Sequence, residues 1–155
     1  MTVESMRENL DDIAGVRVIC SFIDDIYDVS RMLARQDDIR VIAIKDYIRS
    51  PKVNGYRSYH MILEIPVFFS NCKQYIRAEV QIRTIAMDFW ASLDHQLKYK
   101  KEMTEEEAAE IGEDLRRCAE VIAGTDWKML EIRRKIEDRE QMKEYDINKG
   151  REKVV

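Results

Sequence analysis

The sequence has few of the residues that build covalent or metal-bound scaffolds. Its 155 residues include three cysteines, Cys20, Cys72 and Cys118, and two histidines. The cysteines are odd in number and widely spaced, and they form no CxxC or Cys/His cluster. This pattern argues against a disulfide framework and against a zinc site, and it is typical of a protein of the reducing cytosol.

The sequence also lacks a long apolar run and an excess of positive charge. Stretches such as "MILEIPVFF" are interrupted by Glu64 and Pro66, and the opening "MTVESMRENLDD" has no signal-peptide core. We therefore expect a soluble, cytoplasmic protein with no membrane partner. The formal net charge of -4 argues against DNA binding, which normally requires a basic excess, and RNA binding is favoured only by one basic loop.

The β-branched and aromatic residues concentrate in the first half of the chain, which is long enough for one globular domain. Four segments bounded by turn signals predict strands, at residues 16–23, 39–48, 58–69 and 74–84. Between the first two, Ile26, Val29 and Leu33 recur at helical spacing. This arrangement predicts a strand, helix, strand crossover followed by two strands joined by short turns.

After Thr84 the sequence becomes helical in character. An apolar stripe over residues 86–101 predicts a helix that covers the sheet, through Ala86, Phe89, Trp90, Leu93 and Leu97. Further helices are predicted from Thr104, which has Glu107 at capping-box spacing, to a stop at Gly124, and again from about Asp126.

These elements predict an α+β fold, a mixed sheet flanked by helices with a C-terminal helical hairpin. The hairpin packs on the domain or on another copy of the chain. We assign residues 1–101 to the α+β domain and residues 102–155 to its helical extension.

The last predicted strand, "KQYIRAEVQIRT", has one apolar and one polar face. Alternation places Glu79, Gln81 and Arg83 together on the polar face. A solvated face with cross-strand ion pairs and a functional site both account for this pattern. The neighbouring segments therefore decide between them.

The segment "KDYIRSPKVNGYR" concentrates cations around two turn-forming residues, with Lys45, Arg49, Lys52 and Arg57. Clustered cations on a flexible loop can wrap a polyphosphate, although an ordinary basic loop has the same composition. Asn54-Gly55 is a common type I′ hairpin signal and says nothing about function by itself.

Tyr56 and His60 add an aromatic ring and an imidazole to these cations. An exposed ring beside cations can stack on a nucleobase while the cations hold its phosphates, although a lone tyrosine is more often part of a core. Asp12 and Glu79, at strand edges, are then candidates for metal binding and proton transfer, with a cap as the alternative for Asp12. The sequence has no GxxxxGK[ST] or GxGxxG, so a Walker or Rossmann phosphate cradle is excluded.

Three segments, "DIAGVRVIC", "KDYIRSPKVNGYRSYH" and "EVQIRTIAMDFWASLDH", in this order and spacing resemble the synthetase domain of the RelA/SpoT family. The resemblance covers roughly residues 8–101 and is strongest to the small, single-domain alarmone synthetases. It implies a nucleotidyltransferase-like fold. It also implies transfer of the β,γ-pyrophosphate of ATP to the ribose 3′-hydroxyl of GDP or GTP, which makes the alarmones ppGpp or pppGpp, with magnesium as the cofactor.

The resemblance assigns roles to individual residues. Asp12 matches a magnesium-binding aspartate, and Glu79 matches the glutamate that activates the 3′-hydroxyl or helps to hold the metal. Tyr56 matches the tyrosine that stacks on guanine, with Asn54 near the base edge. Groups that contact the acceptor phosphates match Lys45, Lys52 and His60, and orienting residues match Gln81 and Arg83.

The resemblance also predicts self-association, and the sequence departs from the family pattern in one respect. Small alarmone synthetases are often tetramers, so self-association is expected. Family members carry a basic ATP-binding segment upstream of the match, whereas this sequence begins eleven residues before Asp12. Three hypotheses follow: a pyrophosphokinase, a guanine-nucleotide or alarmone binding module without catalysis, and an oligomerisation module.

Overall fold

The computed structural model describes residues 14–98 and 104–152. Its strands are β1 (Ala14–Cys20), β2 (Arg40–Asp46), β3 (Tyr59–Phe68) and β4 (Lys73–Thr84). Its helices are α1 (Ile23–Ala34), α2 (Ile85–Lys98) and α3 (Glu105–Glu152). The predicted α+β fold and its four strands are confirmed.

The four strands form one mixed sheet in the order β1-β4-β3-β2. β1 pairs parallel with β4, whereas the β3–β4 and β2–β3 pairs are antiparallel. Because β1 and β2 lie at opposite edges, α1 carries the chain across the sheet, as the predicted crossover requires. A register shift between Val41 and Ala43 marks a bulge in β2.

One face of the sheet is apolar and forms the core. Met61, Leu63, Val80 and Ile82 alternate along the two central strands and pack with Ile23 and other buried residues of one cluster. The main helical contributions to this cluster come from α1, with Met87 of α2 and Leu130 of α3. The opposite face is left for polar side chains.

α1 begins earlier than predicted because its first turn is well capped. The backbone N–H of Phe22 donates to the carboxylate of Asp25 at 3.0 Å, and Asp24 adds a second negative charge near the positive end of the helix dipole. Arg133 of α3 donates to Asp25 at 2.7 Å and lies over the ring of Phe22. The strand predicted for residues 16–23 therefore ends at Cys20.

The predicted C-terminal helical hairpin is wrong, because α3 is one continuous helix through Gly124. A glycine inside a helix costs only about 1 kcal/mol relative to alanine. It ends a helix when it adopts a left-handed conformation, which among the described glycines only Gly55 does. Tertiary packing on both sides of Gly124, at Ala119 and Leu130, outweighs this small cost.

The N-terminus of α3 agrees with its sequence signal. The backbone N–H of Thr104 donates to the Glu107 carboxylate at 2.9 Å, and the Glu107 N–H donates back to the Thr104 hydroxyl at 3.2 Å. This reciprocal pair is the predicted capping box. The domain boundary that we predict at residues 101 and 102 lies outside the described residues.

The inward face of α2 differs from the predicted one. Met87 and Trp90 are buried, and the indole N–H of Trp90 donates to the Leu115 carbonyl of α3 at 3.0 Å. Of the other residues in the predicted stripe, Phe89, Leu93 and Leu97 are exposed. The prediction failed because α3 covers the flank of α2 that carries Trp90, which periodicity alone does not reveal. No helix in the described part of the chain combines the length and apolarity that a membrane crossing needs.

Candidate active site

The polar face of the sheet brings the predicted site residues together on three neighbouring strands. Glu79, Gln81 and Arg83 alternate along β4 and therefore point to the same side. His60 of β3 lies opposite Gln81 in the register, and Lys45 of β2 lies opposite His60. The sheet itself thus assembles five of the predicted residues, without help from a loop.

Glu79 is held on both of its carboxylate oxygens. Oε1 accepts a hydrogen bond from Nδ1 of His60 at 2.8 Å, and Oε2 accepts one from the amide of Gln81 at 2.8 Å. Burial raises the pKa of Glu79, but the hydrogen bonds from Gln81 and His60 outweigh burial, so its pKa lies below the ordinary value. The carboxylate is therefore ionised and fixed in orientation at neutral pH.

His60 connects Glu79 to Tyr56. Because Nδ1 faces a carboxylate, it carries the proton, and Nε2 then accepts from the Tyr56 hydroxyl at 2.9 Å. Burial, the largest influence, lowers the pKa of His60; Glu79 partly opposes this effect, while the charges of Arg83 and Lys52 reinforce it. The imidazole is consequently neutral at neutral pH, with both nitrogens engaged.

Arg83 is a buried cation, only 5% exposed, whose donors are shared among four partners. Its guanidinium donates to the Tyr56 hydroxyl at 2.6 Å and to Gln81 Oε1 at 3.1 Å. It also donates to Ser58 Oγ at 3.3 Å and to Asp88 Oδ1 at 3.0 Å. A buried charge with this many partners holds a single geometry, since losing one partner would leave a buried donor unsatisfied.

The turn that carries Asn54 and Tyr56 is not the predicted type I′ hairpin. The backbone N–H of Gly55 bonds the Lys52 carbonyl at 2.8 Å, so Val53 and Asn54 occupy the centre of the turn. Gly55 follows with φ +88, the arrangement of a type I turn with a bulge. The side-chain carbonyl of Asn54 accepts the Tyr56 N–H at 3.2 Å and so stabilises the turn.

Gly55 also lets this turn approach α3. A Cβ at position 55 would lie 2.5 Å from the Cβ of Ala119, closer than two carbons can pack. Tyr56 in turn packs against a small cluster of Trp90, Leu115 and Ala119. The turn is thus seated on α3 instead of moving freely in solvent.

Only half of the cationic cluster in this loop reaches the site. Lys52 places its ammonium 4.9 Å from the ring centres of both Tyr47 and Tyr56. Arg49 instead lies over Tyr27 of α1, on the core side of the sheet. Arg57 lines a cavity behind the turn. A polyphosphate wrapped by all four cations is therefore excluded by this arrangement.

Sequence reasoning missed three residues around this network. Tyr47 packs edge-on against both Tyr56 and His60, with ring centres 6.1 Å and 5.3 Å apart. Arg17 of β1 pairs with Asp88 of α2 at 3.3 Å, and Asp88 in turn bonds Arg83. The alternation of β1 could have placed Arg17 on the polar face, whereas the aromatic packing of Tyr47 has no sequence signal.

The predicted metal ligands are only partly described. Asp12 lies outside the described residues. Within the described ranges no three His, Cys, Asp or Glu side chains converge in a way that could hold a metal ion. Beside Glu79, the paired residue of β1 is Gly15, where a Cβ would meet no described atom within 4 Å. Among the residues that the structure describes, none therefore fills the space next to the carboxylate.

Comparisons with known proteins identify the family to which the chain is similar. Residues 2–104 match the family model described as a region found in RelA/SpoT proteins. The chain is 47% identical over 137 residues to GTP pyrophosphokinase YwaC and 38% identical over 131 residues to GTP pyrophosphokinase YjbM, both of Bacillus subtilis. These matches include 88% and 84% of this chain but only 64% and 61% of the two relatives, so the chain spans less than two thirds of their length.

Solved structures of Bacillus subtilis proteins share the fold. Small alarmone synthetase 1 bound to its product pppGpp matches with a TM-score of 0.78 and 35% identity, over 88% of this chain and 68% of the other. Small alarmone synthetase 2 matches with a TM-score of 0.76 and 44% identity, over 87% of this chain and 77% of the other. The sheet and helices described above therefore have the same fold as these small alarmone synthetases.

Proposed function

This chain belongs to the family of RelA/SpoT proteins, and we propose that it acts as a GTP pyrophosphokinase. In the proposed reaction, ATP donates its β,γ-pyrophosphate to the 3′-hydroxyl of GDP or GTP, which yields AMP and ppGpp or pppGpp. These substrates are nucleotides of the cytoplasm, where we expect the protein to work.

The observation that carries the proposal is the state of Glu79. It is an ionised carboxylate in the middle of a sheet, oriented by His60 and Gln81, and no described atom fills the space beside it at Gly15. A general base needs this combination of fixed geometry and correct protonation state. A module that only binds guanine has no need of it.

The acceptor nucleotide is proposed to bind on the side of Tyr56. Its guanine would stack on the Tyr56 ring, near Asn54, and the ammonium of Lys52 would have to move from that ring toward the phosphates. Lys45, on the same face of the sheet, is a second phosphate contact. His60 uses both nitrogens within the network, so a phosphate contact from His60 requires it to release Tyr56 or Glu79.

In the chemical step, the 3′-oxygen of the acceptor attacks the β-phosphorus of ATP. The new bond joins that oxygen to the β-phosphorus, the bond from the β-phosphorus to the bridging α,β-oxygen breaks, and AMP leaves. Glu79 takes the proton of the hydroxyl. Arg83 and Gln81 act by holding Tyr56 and Glu79 in place, since positioning supplies much of the rate of such transfers.

We propose magnesium as the metal ion. The Glu79 carboxylate fits it, because each oxygen has one hydrogen bond and keeps a lone pair on a hard ligand atom. Asp12 is the second proposed ligand. Magnesium bound there would offset the charge that develops on the transferred pyrophosphate and the leaving AMP.

The direct test is to incubate the chain with magnesium, GDP or GTP and ATP labelled on its γ-phosphate, and to separate the nucleotides by chromatography. We expect label in a guanosine 3′-diphosphate product. Glu79→Gln is the matched control, because it keeps the size of the side chain and removes the base, with one oxygen left to accept in place of the two that accept from His60 and Gln81. Equal product from both proteins would contradict the role of Glu79.

Calorimetric titrations with GDP and with ATP separate this proposal from a binding module. A chain that binds GDP but neither binds ATP nor makes product is a guanine-nucleotide binding module. A chain that binds neither nucleotide contradicts both functions.

Self-association through α3 is a second proposal, because this helix exposes apolar side chains along its length, at Val121, Met129, Ile132, Ile136, Met142 and Tyr145. Exposed apolar patches of this kind commonly mark interfaces between proteins. We expect light scattering to give a mass above that of one chain, with a tetramer expected from the family resemblance. The double variant Ile132→Glu/Ile136→Glu should lower the mass, and an unchanged mass would contradict an interface on this helix.

A further inference from the structure

A buried acidic residue of α3 contacts the strand that carries the site. Asp126 is 6% exposed and accepts a hydrogen bond from the Thr84 hydroxyl at 2.6 Å. Thr84 is the last residue of β4, directly after Arg83, and it is fully buried. Forty-two residues of chain separate the two partners, so this bond is a tertiary link between α3 and the end of the central strand.

The same hydroxyl fixes the start of α2. Thr84 Oγ1 accepts the backbone N–H of Met87 at 3.1 Å, which makes Thr84 the cap of that helix. Since the hydroxyl donates to Asp126 and accepts from Met87, its single proton and its orientation are both determined. The first turn of α2 then presents Asp88, which bonds Arg83 at 3.0 Å.

The link continues to the aromatic wall of the site. Arg83 donates to the Tyr56 hydroxyl at 2.6 Å, and Tyr56 is hydrogen-bonded to His60. Asp126 is therefore connected with Tyr56 through the Thr84 hydroxyl, the first turn of α2 at Met87 and Asp88, and the Arg83 guanidinium.

A small cavity is lined both by Asp126 and by the loop that carries Tyr56. The cavity measures about 20 Å³, and Asp126 and Arg57 are both among the residues that line it, as are Gly55 and Trp127. Nη1 of Arg57 is buried and has no hydrogen-bond partner within the described structure. Arg57 is the residue that follows Tyr56, so this cavity brings Asp126 beside the same loop.

We propose that Asp126 is a positioning residue for the acceptor side of the site, which it sets through Thr84. This inference rests on the proposed function only for its effect on nucleotide binding. Keeping an acidic side chain here has a cost, because burial raises the pKa of Asp126 despite the hydrogen bond from Thr84. A residue retained for packing alone would be better served by an apolar side chain.

The test compares Asp126→Ala with Asp126→Asn, which keeps an oxygen to accept the Thr84 hydroxyl. Calorimetry should show GDP binding about tenfold weaker in Asp126→Ala and near the wild-type value in Asp126→Asn, because the loss of a buried bond is transmitted to Tyr56. ATP binding should not change. If Asp126 acts on stability alone, Asp126→Ala should lower the melting temperature without changing the ratio of the GDP affinity to the ATP affinity.

A double-mutant cycle locates the route. If Asp126 acts through Thr84, then Asp126→Ala should add almost nothing to the loss of GDP affinity already caused by Thr84→Val. Thr84→Ser, which keeps the hydroxyl, is the control. Losses that simply add would overturn the proposed route. If Asp126→Ala does not fold, Thr84→Val against Thr84→Ser decides by the same GDP measurement.

A third measurement needs no nucleotide. The chain is labelled with 3-fluorotyrosine, and the ¹⁹F resonance of Tyr56 is identified from its loss in Tyr56→Phe. We expect this resonance to shift in Asp126→Ala and to stay in place in Asp126→Asn, and an unmoved resonance would overturn the inference. A wild-type chain that binds no guanine nucleotide would contradict the proposed function, while the ¹⁹F result would still decide the role of Asp126.

Discussion

The two sides of Glu79 differ in how far the protein has already organised them. On the β3 side, His60 is 7% exposed and Arg83 is 5% exposed, and both are held by several hydrogen bonds. On the β1 side, Ile19 is 44% exposed, and no described atom fills the space beside Gly15. We call these the network side and the open side.

This difference determines how much binding energy a substrate loses in ordering the side chains that it contacts. A ligand on the network side meets side chains whose rotamers are already fixed, so it loses little of its binding energy to ordering them. A ligand on the open side meets exposed side chains such as Arg17, which pairs with Asp88, and loses more of its binding energy in ordering them. We therefore expect guanine-nucleotide affinity to depend on the network residues, and turnover to depend on Glu79 between the two sides.

The largest expected effect is on turnover in Glu79→Gln. Removing a general base should lower kcat by about 10²- to 10⁴-fold. GDP affinity should change by less than about threefold, because Gln keeps the size of the side chain and Tyr56 is untouched. Product formation and calorimetric titration of the same preparation check both values.

A parallel loss of kcat and GDP affinity in Glu79→Gln would break the comparison, since Glu79 would then belong to the network side. Gln81→Ala is the informative companion variant. It removes one of the two hydrogen bonds on Glu79 and leaves the base itself in place. We expect a smaller fall in kcat than in Glu79→Gln.

The second prediction concerns two glycines, one on each side. Gly55→Ala should lower the free energy of unfolding by about 2–5 kcal/mol, because a left-handed backbone and a collision with Ala119 both oppose the new methyl group. Gly15→Ala should change it by less than about 0.5 kcal/mol, because its Cβ meets no described atom. Chemical denaturation measures both. Equal losses would mean that the open side is packed after all.

The third prediction separates the ring of Tyr56 from its hydroxyl. Tyr56→Ala should weaken GDP binding by about 1–3 kcal/mol, the usual worth of stacking a base on an aromatic ring. Tyr56→Phe keeps the ring and loses the bonds to His60 and Arg83, so we expect a loss of about 1 kcal/mol. Calorimetric titration with GDP checks the order. A larger loss in Tyr56→Phe would show that the hydroxyl, and not stacking, dominates.

The sequence predicted the parts of this molecule that depend on local pattern. The alternation in "EVQIRT" placed Glu79, Gln81 and Arg83 on one face, and Thr104 with Glu107 marked the start of α3. These succeed because strand alternation and helix capping are set by neighbouring residues. The family resemblance then supplied roles for the site residues, which stay predictions.

The rest depended on contacts between distant segments. Packing at Ala119 and Leu130 keeps α3 continuous through Gly124, and the contact of Trp90 with Leu115 sets the inward face of α2. No local pattern reveals either. The turn at Gly55 differs from the predicted type I′ hairpin for the same reason, because its conformation depends on the close contact of Gly55 with Ala119. The sequence pattern at Asp126 predicts only the start of a helix, because its hydrogen-bond partner Thr84 lies 42 residues away in the chain.

The smallest expected effect is a shift in the titration of His60, and it examines the network side directly. His60 should be neutral with its proton on Nδ1, and its pKa should lie below its ordinary value of 6.5, because burial and the charges of Arg83 and Lys52 outweigh Glu79. The unfolded chain takes up a proton near pH 6.5 and the folded chain does so only at lower pH. The contribution of His60 to the free energy of unfolding is therefore present above pH 6.5 and declines as the pH falls below that value.

Nitrogen-15 NMR of the imidazoles measures this titration and the tautomer, and His60→Asn identifies the resonance among the two histidines of the chain. In Glu79→Gln the pKa of His60 should fall further, because the carboxylate is the one partner that raises it. A rise in that variant would mean that the carboxylate does not stabilise the imidazolium. A wild-type pKa above 6.5 would mean that Glu79 outweighs burial and holds His60 as an imidazolium, which would contradict the neutral imidazole that we assign to the network side.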